Sequence, residues 1–364
     1  MKYPRTFSPL QIGSLHLRNR IAMAPMTRRK AAEDGIPTHE ITAYYRRRAA
    51  NEVGLIISEG TAIDNTHAFD TKTVPRFVTN DQIAGWRHVV EAVHKEGGAF
   101  APQLWHCGRL AENPIGPMED TPPAKADGTP RPTVRPMEAA DFDQVLAAYK
   151  HSAKKAKEIG CDALEIHGAH GYLLDSFLSE TTNQRNDLYG GSVENRMRFP
   201  LQVVDVVREA VGPDFPIIYR FSQWKVDDYR EIKFKTPSDL ETWVRALVKH
   251  GVDILHVSTR NVLDPGFADH GEKPLAVWAQ ELSGLPTIGV GSIAVTLPMD
   301  QTRSGVEGAI SDPSPALALL EDGSLEMLAV GRSLIANPDW VPQVREGHWK
   351  DLAPYSHELL EELV

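Results

Sequence analysis

A chain of 364 residues with 41% hydrophobic and 24% charged residues has the composition of a folded protein with a large core, which excludes disorder and a multi-span membrane protein. The formal net charge of −10 disfavours nucleic acid as a partner, and two cysteines, Cys107 and Cys161, exclude a disulfide framework or a thiolate-held iron–sulfur cluster, so no metal centre is expected. Met1-Lys2-Tyr3-Pro4 opens no apolar leader and no apolar run approaches the roughly 20 residues of a membrane span, so the expected location is cytoplasmic.

In chain order, residues 10–12 and 15–17 flank Gly13-Ser14, the signal of a type II′ hairpin that would plug the bottom of a barrel. Short apolar runs then recur at 21–26, 54–58, 99–104, 161–166, 216–221, 252–257, 286–290 and 327–330. Each is nearly continuous rather than alternating, as buried parallel strands are. Between them lie helical segments: 38–50 behind the N-cap candidate Thr38, 82–95 before Gly97-Gly98, 143–159 before Gly160, 194–211 behind Ser192, and 237–250 before Gly251. Arg46-Arg47-Arg48 in the first of these reads as a solvated face. Eight strand–helix units allow a closed barrel or an open doubly wound sheet, and the count of eight favours a (β/α)8 TIM barrel, an α/β fold in one domain spanning 1–364. Residues 107–140 contain seven prolines, from Pro114 to Pro136, too long a connection for an ordinary loop. Following the third strand, this stretch belongs on the catalytic face as a capping subdomain.

Polar residues gather where barrel enzymes keep theirs, at the carboxyl ends of strands. Thr27, Gly60, Gln103, His167 and Arg220 close or follow the first five runs, and Gly291-Ser292 and Gly331-Arg332 end the last two. Alternation from Cys161 to His167 puts Ala163, Glu165 and His167 on one face and Leu164 and Ile166 on the other, so His167 points inward. By the same count Gln103 shares its face with Ala99 and Ala101, away from Phe100 and Leu104. Taken alone, His167 and His170 fit a hydrogen-bonded pair or two metal ligands, Tyr172 a packing residue, and Arg220 an ion-pair partner of Glu165.

Longer stretches decide among these readings. Ala24-Pro25-Met26-Thr27, Ser58-Glu59-Gly60-Thr61, Gln103-Leu104-Trp105-His106-Cys107-Gly108-Arg109, the run from Glu165 through Leu174, that from Thr182 through Ser192, Glu194-Asn195-Arg196 and Arg220-Phe221-Ser222 closely resemble the old yellow enzyme family of NADH:flavin oxidoreductases. The resemblance implies non-covalent FMN, reduced by NAD(P)H. It assigns Pro25, Met26 and Thr27 to the side of the flavin ring, Gly60 to a close approach, Gln103 to the ring edge and Arg220 to the charge of the reduced ring. It assigns Gly291, Ser292, Gly331 and Arg332 to the phosphate. His167 and His170 would hold the oxygen of an activated alkene while Tyr172 protonates its α-carbon after hydride reaches the β-carbon, in ping-pong turnover. Trp105 and Tyr355 would shape the substrate pocket, and Cys107 reads as an inert thiol. One branch of the family has cysteine where this chain has Thr27, so thiol tuning of the flavin is not expected. Residues 110–135 match no family pattern. Larger relatives append cluster- and dinucleotide-binding regions, so an external nicotinamide is expected here. The rivals are a catalytically silent flavin-binding protein and a flavin-free phosphate-binding aldolase or isomerase, although no lysine ends a predicted strand. Monomer and homo-oligomer both stay open.

Overall fold

Eight parallel strands close on themselves in the computed structural model, which describes residues 2–125, 127–298, 301 and 308–364. They are β1 (Ile21–Met23), β2 (Leu55–Ala62), β3 (Ala99–Trp105), β4 (Leu164–His167), β5 (Ile217–Ser222), β6 (Ile254–Ser258), β7 (Thr287–Val290) and β8 (Met327–Val330). Each pairs with its neighbours in sequence, and β8 closes against β1 with Val330 opposite Met23. The closed (β/α)8 barrel is therefore the outcome, and the open sheet is not.

The strands carry apolar side chains on both faces because each is buried twice. Ala22, Leu55, Ala101, Ile218 and Ile288 fill the interior, while Phe100, Leu104, Ile166, Tyr219 and Leu328 face the surrounding helices. The hairpin pairs Leu10–Ile12 with Leu15–Leu17, and Leu15 and Leu17 pack into the interior cluster as the expected floor. Its turn needs Gly13, whose φ of 56° suits the first central position of a type II′ turn.

Differences from the expected bounds have local causes. β1 stops at Met23 rather than at residue 26, because Pro25 has no N–H to give a ladder. β2 runs past residue 58 to Ala62 through a register shift between Ile57 and Gly60. Two helices begin earlier than their apolar periodicity, because capping boxes at Thr79–Gln82 and Glu138–Asp141 set their starts at Asn80 and Ala139.

Arg48 corrects the reading of a solvated basic run. It is fully buried, with its guanidinium 3.8 Å from the Tyr44 ring and Nη2 donating to the carbonyls of Leu334 (3.0 Å) and Ile335 (3.2 Å). Those carbonyls end the short helix Arg332–Ala336 and would otherwise be orphans in the core. Burial lowers the Arg48 guanidinium to about 10, so it still carries its charge at neutral pH.

Residues 107–140, of which Ala126 lies outside the described residues, contain a 3₁₀ turn at Gly108–Leu110 and a short parallel pair, Ile115–Gly116 with Arg135–Pro136. Arg109 pairs with Asp120 inside this segment and with Asp227 in the loop after β5, tying two mouth loops together. Among the described residues, no helix is long and apolar enough to cross a membrane.

Candidate active site

The carboxyl ends of β3 to β6 carry a polar layer above the apolar interior. Gln103, Glu165, His167, Arg220, His256 and Ser258 are all buried there, on the inward face that alternation assigns to Gln103 and His167. Nε2 of Gln103 donates to Glu165 Oε1 at 2.7 Å, and Arg220 Nη2 donates to Ser258 Oγ at 3.4 Å. Among the described residues Arg220 has no carboxylate within salt-bridge distance, and its buried Nε meets no partner, so the alternative of a closed ion pair with Glu165 is not realised. Burial lowers the guanidinium pKa, with the Glu165 charge opposing the shift.

The loop after β4 is held by its own sequence. Gly168 N–H donates to the Arg220 carbonyl at 2.9 Å, His170 N–H to Ser222 Oγ at 2.8 Å, and Gly171 N–H to Asp175 Oδ2 at 2.7 Å. These bonds keep His170 at a φ of 65°, which few non-glycine residues adopt. Asp175 is itself buried against Lys233 of the loop after β5. The result gathers four rings. His167 lies 5.2 Å from His170 and 5.0 Å from Tyr172, centroid to centroid, and Trp105 meets Tyr172 edge-on at 4.9 Å.

Burial first, and the charge of Arg220 second, hold His167 well below the ordinary histidine range, so it is neutral at pH 7. Its Nδ1 accepts from Ala169 N–H at 3.3 Å, which leaves the single ring proton on Nε2 as a donor. His170 places Nε2 2.8 Å from Ser258 Oγ and stacks on Trp224 at 4.1 Å.

Gly60 has a reason the motif did not show. A Cβ there would lie 2.6 Å from Cε3 of Trp105, so the missing side chain also makes room for an indole ring. Gly60→Ala is expected to push Trp105 against Tyr172, costing about 1–3 kcal/mol of stability by overpacking. Urea unfolding checks this, and an unchanged midpoint would mean the ring moves away freely.

Pro25, Met26 and Thr27 are half-buried just beyond β1, and closure of β8 against β1 brings Gly331 and Arg332 to the same rim. A Cβ on Gly331 would sit 3.4 Å from Met26 Sδ. Arg332 Nη2 donates to Ser292 Oγ at 3.3 Å, joining the ends of β7 and β8. Tyr355 is buried in the C-terminal segment, whose Leu359 and Glu362 carbonyls accept from Arg28, the neighbour of Thr27. Cys107 is fully buried, and burial raises its thiol pKa well above the usual value, as suits an unreactive group.

Glu59 fixes the turn after Thr27 by accepting from the backbone N–H groups of Arg28 at 2.8 Å and Arg29 at 3.0 Å. Burial pushes its carboxyl from 4.5 up to about 7. Between those values the folded chain holds a proton that the unfolded chain releases. Stability from this group is therefore complete below pH 4.5 and falls as pH rises through 7, by about 3 kcal/mol. Urea unfolding at pH 5 and pH 8 should show that fall in the wild type and its loss in Glu59→Gln; parallel behaviour of the two would contradict it.

Sequence reading missed Ser222, Trp224, Lys233, His256 and Ser258. Ser222 and Ser258 carried a signal, since both end their strands. The others depend on which strands and loops closure brings together.

Residues 5–351 match the model of the NADH:flavin oxidoreductase / NADH oxidase family. An NADH oxidase of Thermoanaerobacter brockii is 33% identical over 362 residues, covering 96% of this chain, while the chain spans 52% of that relative's length. Among solved structures, morphinone reductase in complex with tetrahydroNAD has a TM-score of 0.80 at 32% identity, with 98% of this chain and 94% of that one covered. The old yellow enzyme homologue of Zymomonas mobilis has a TM-score of 0.82 at 27% identity, with 98% and 96% covered.

Proposed function

Because the chain belongs to the NADH:flavin oxidoreductase / NADH oxidase family, whose members are FMN barrels reduced by a nicotinamide, we propose that it is an ene-reductase acting on activated alkenes such as enones, enals, nitroalkenes and maleimides. The observation that carries this reading is the ring cluster of His167, His170, Tyr172 and Trp105 beside the buried, incompletely partnered Arg220.

The donor set suits FMN. Arg220 offers an unsatisfied buried N–H to a group whose reduced form is negative, and Gln103 offers an amide to its ring edge. Pro25, Met26, Thr27 and Gly60 would bound the ring, while Gly291, Ser292, Gly331 and Arg332 would hold the phosphate at the ends of the last two strands. When bound, FMN supplies a carrier that takes hydride from the nicotinamide and passes it to an electron-poor alkene carbon.

The chain's own residues do the rest. The Nε2–H of His167, with His170 beside it, grips the substrate's carbonyl or nitro oxygen and draws electrons from the double bond. Tyr172 supplies the proton for the α-carbon from its hydroxyl. Trp105 walls the slot and Tyr355 bounds it from the C-terminal side. Nicotinamide and alkene occupy that slot in turn. We assign residues 1–364 to one unit with 107–140 as its cap, acting in the cytoplasm.

Initial rates with NADPH or NADH varied against cyclohexenone test this reading. Parallel double-reciprocal lines are expected, and intersecting lines would exclude a shared slot. A yellow protein that consumes no nicotinamide with any of these acceptors would instead be a silent flavin binder.

A further inference from the structure

Below the ring cluster a buried carboxylate is left without a part in the chemistry. Glu165 on β4 is fully buried, with Oε1 accepting from Gln103 Nε2 on β3 at 2.7 Å and Oε2 facing His256 Nδ1 on β6 at 2.5 Å. The three side chains reach across the barrel interior, and the register partner of His256 on β5 is Arg220. Burial lowers the His256 pKa despite the Glu165 charge, so the imidazole is neutral with its proton on the nitrogen facing the carboxylate. The Glu165 carboxylate also opposes the lowering of the Arg220 guanidinium pKa by burial.

An ionised carboxylate only accepts hydrogen bonds, so the end of the Gln103 amide that meets it is the NH2. The amide oxygen is turned the other way. On the pyrimidine edge of a flavin the one donor is the imide N–H between two carbonyls, and an amide oxygen is its complement.

We propose that Glu165 is a positioning residue for FMN: seated on His256, it locks Gln103 with its carbonyl oxygen toward the imide N–H, and its charge offsets part of the field Arg220 exerts on that edge. This rests on FMN binding alone and not on which acceptor the enzyme reduces.

The test uses the apoprotein titrated with FMN, followed by the flavin reduction potential. In Glu165→Gln the amide of Gln103 is free to turn over, and at least a tenfold rise in Kd is expected. Loss of the negative charge should raise the preference for reduced over oxidised FMN about tenfold, a positive shift of about 30 mV for a two-electron couple. In a Gln103→Leu background, Glu165→Gln should cost no further FMN affinity, because the lock has nothing left to hold. Additive losses of affinity, or an unchanged potential, would overturn the proposal.

Should Glu165→Gln not fold, the unaltered chain answers with 3-methyl-FMN, which lacks the imide N–H. It should bind at least tenfold more weakly than FMN, and Gln103→Leu should bind the two alike. Equal binding by the unaltered chain would contradict the assignment. None of these readouts needs an alkene, so a failure of the ene-reductase reading would leave them interpretable.

Discussion

Tyr172→Phe is expected to bind FMN and to be reduced by nicotinamide at the wild-type rate, yet to be reoxidised by an enone about 10²–10⁴ times more slowly, the usual contribution of a positioned general acid. Phenylalanine keeps the ring that packs against Trp105 at 4.9 Å and His167 at 5.0 Å and loses only the hydroxyl, so the walls of the slot stand while the proton source disappears. Stopped-flow measurement of the two half-reactions separates the effects. Loss confined to reoxidation supports the role. Equal reoxidation rates in mutant and wild type would remove Tyr172 from the chemistry, and equal slowing of both halves would mean that the hydroxyl maintains the slot and donates nothing.

His167→Ala is expected to cost about 10²–10³ in kcat/KM for the enone, the scale seen when one preorganised donor to a developing negative oxygen is removed. The donor is prepared by the fold. Burial keeps the imidazole neutral, and the Ala169 N–H occupies Nδ1, so Nε2 carries the proton without any rearrangement on binding. Phenols offer their oxygen to the same donor, so their affinity should fall in parallel. Unchanged phenol binding with a large loss of turnover would place the substrate oxygen elsewhere. His170 is a less complete donor in this arrangement, since its Nε2 faces Ser258.

Much of this was legible in the chain because strand geometry has a fixed period. The inward direction of Gln103 and His167 follows from alternation and needs no partner to be known, while eight apolar runs too continuous for a one-sided sheet leave a barrel or a doubly wound sheet, between which the count of eight favours closure. Bounds were less legible where side chains override periodicity, as when Pro25 ends β1 or the Thr79 cap starts a helix at Asn80, three residues before its first apolar residue, Ile83. Arg48 was readable in principle. It lies seven residues after Ile41 and four after Tyr44, on the face that is buried, and its charge masked the phase of the helix. Trp224, Lys233 and His256 were not readable, since their value comes from neighbours on other strands and loops: Trp224 from the ring of His170, Lys233 from Asp175, His256 from Glu165. The conformation of 107–140 was equally hidden, because the Arg109 pairing to Asp120 and Asp227 joins positions that no local pattern links.

The most direct test of the central claim, that one slot over one FMN serves two visitors, is an anaerobic absorbance titration of the purified protein. The flavin band should bleach with stoichiometric NADPH or NADH and return in full on addition of stoichiometric cyclohexenone. A colourless protein that takes up no FMN, or a bleached flavin that no alkene restores, would contradict it.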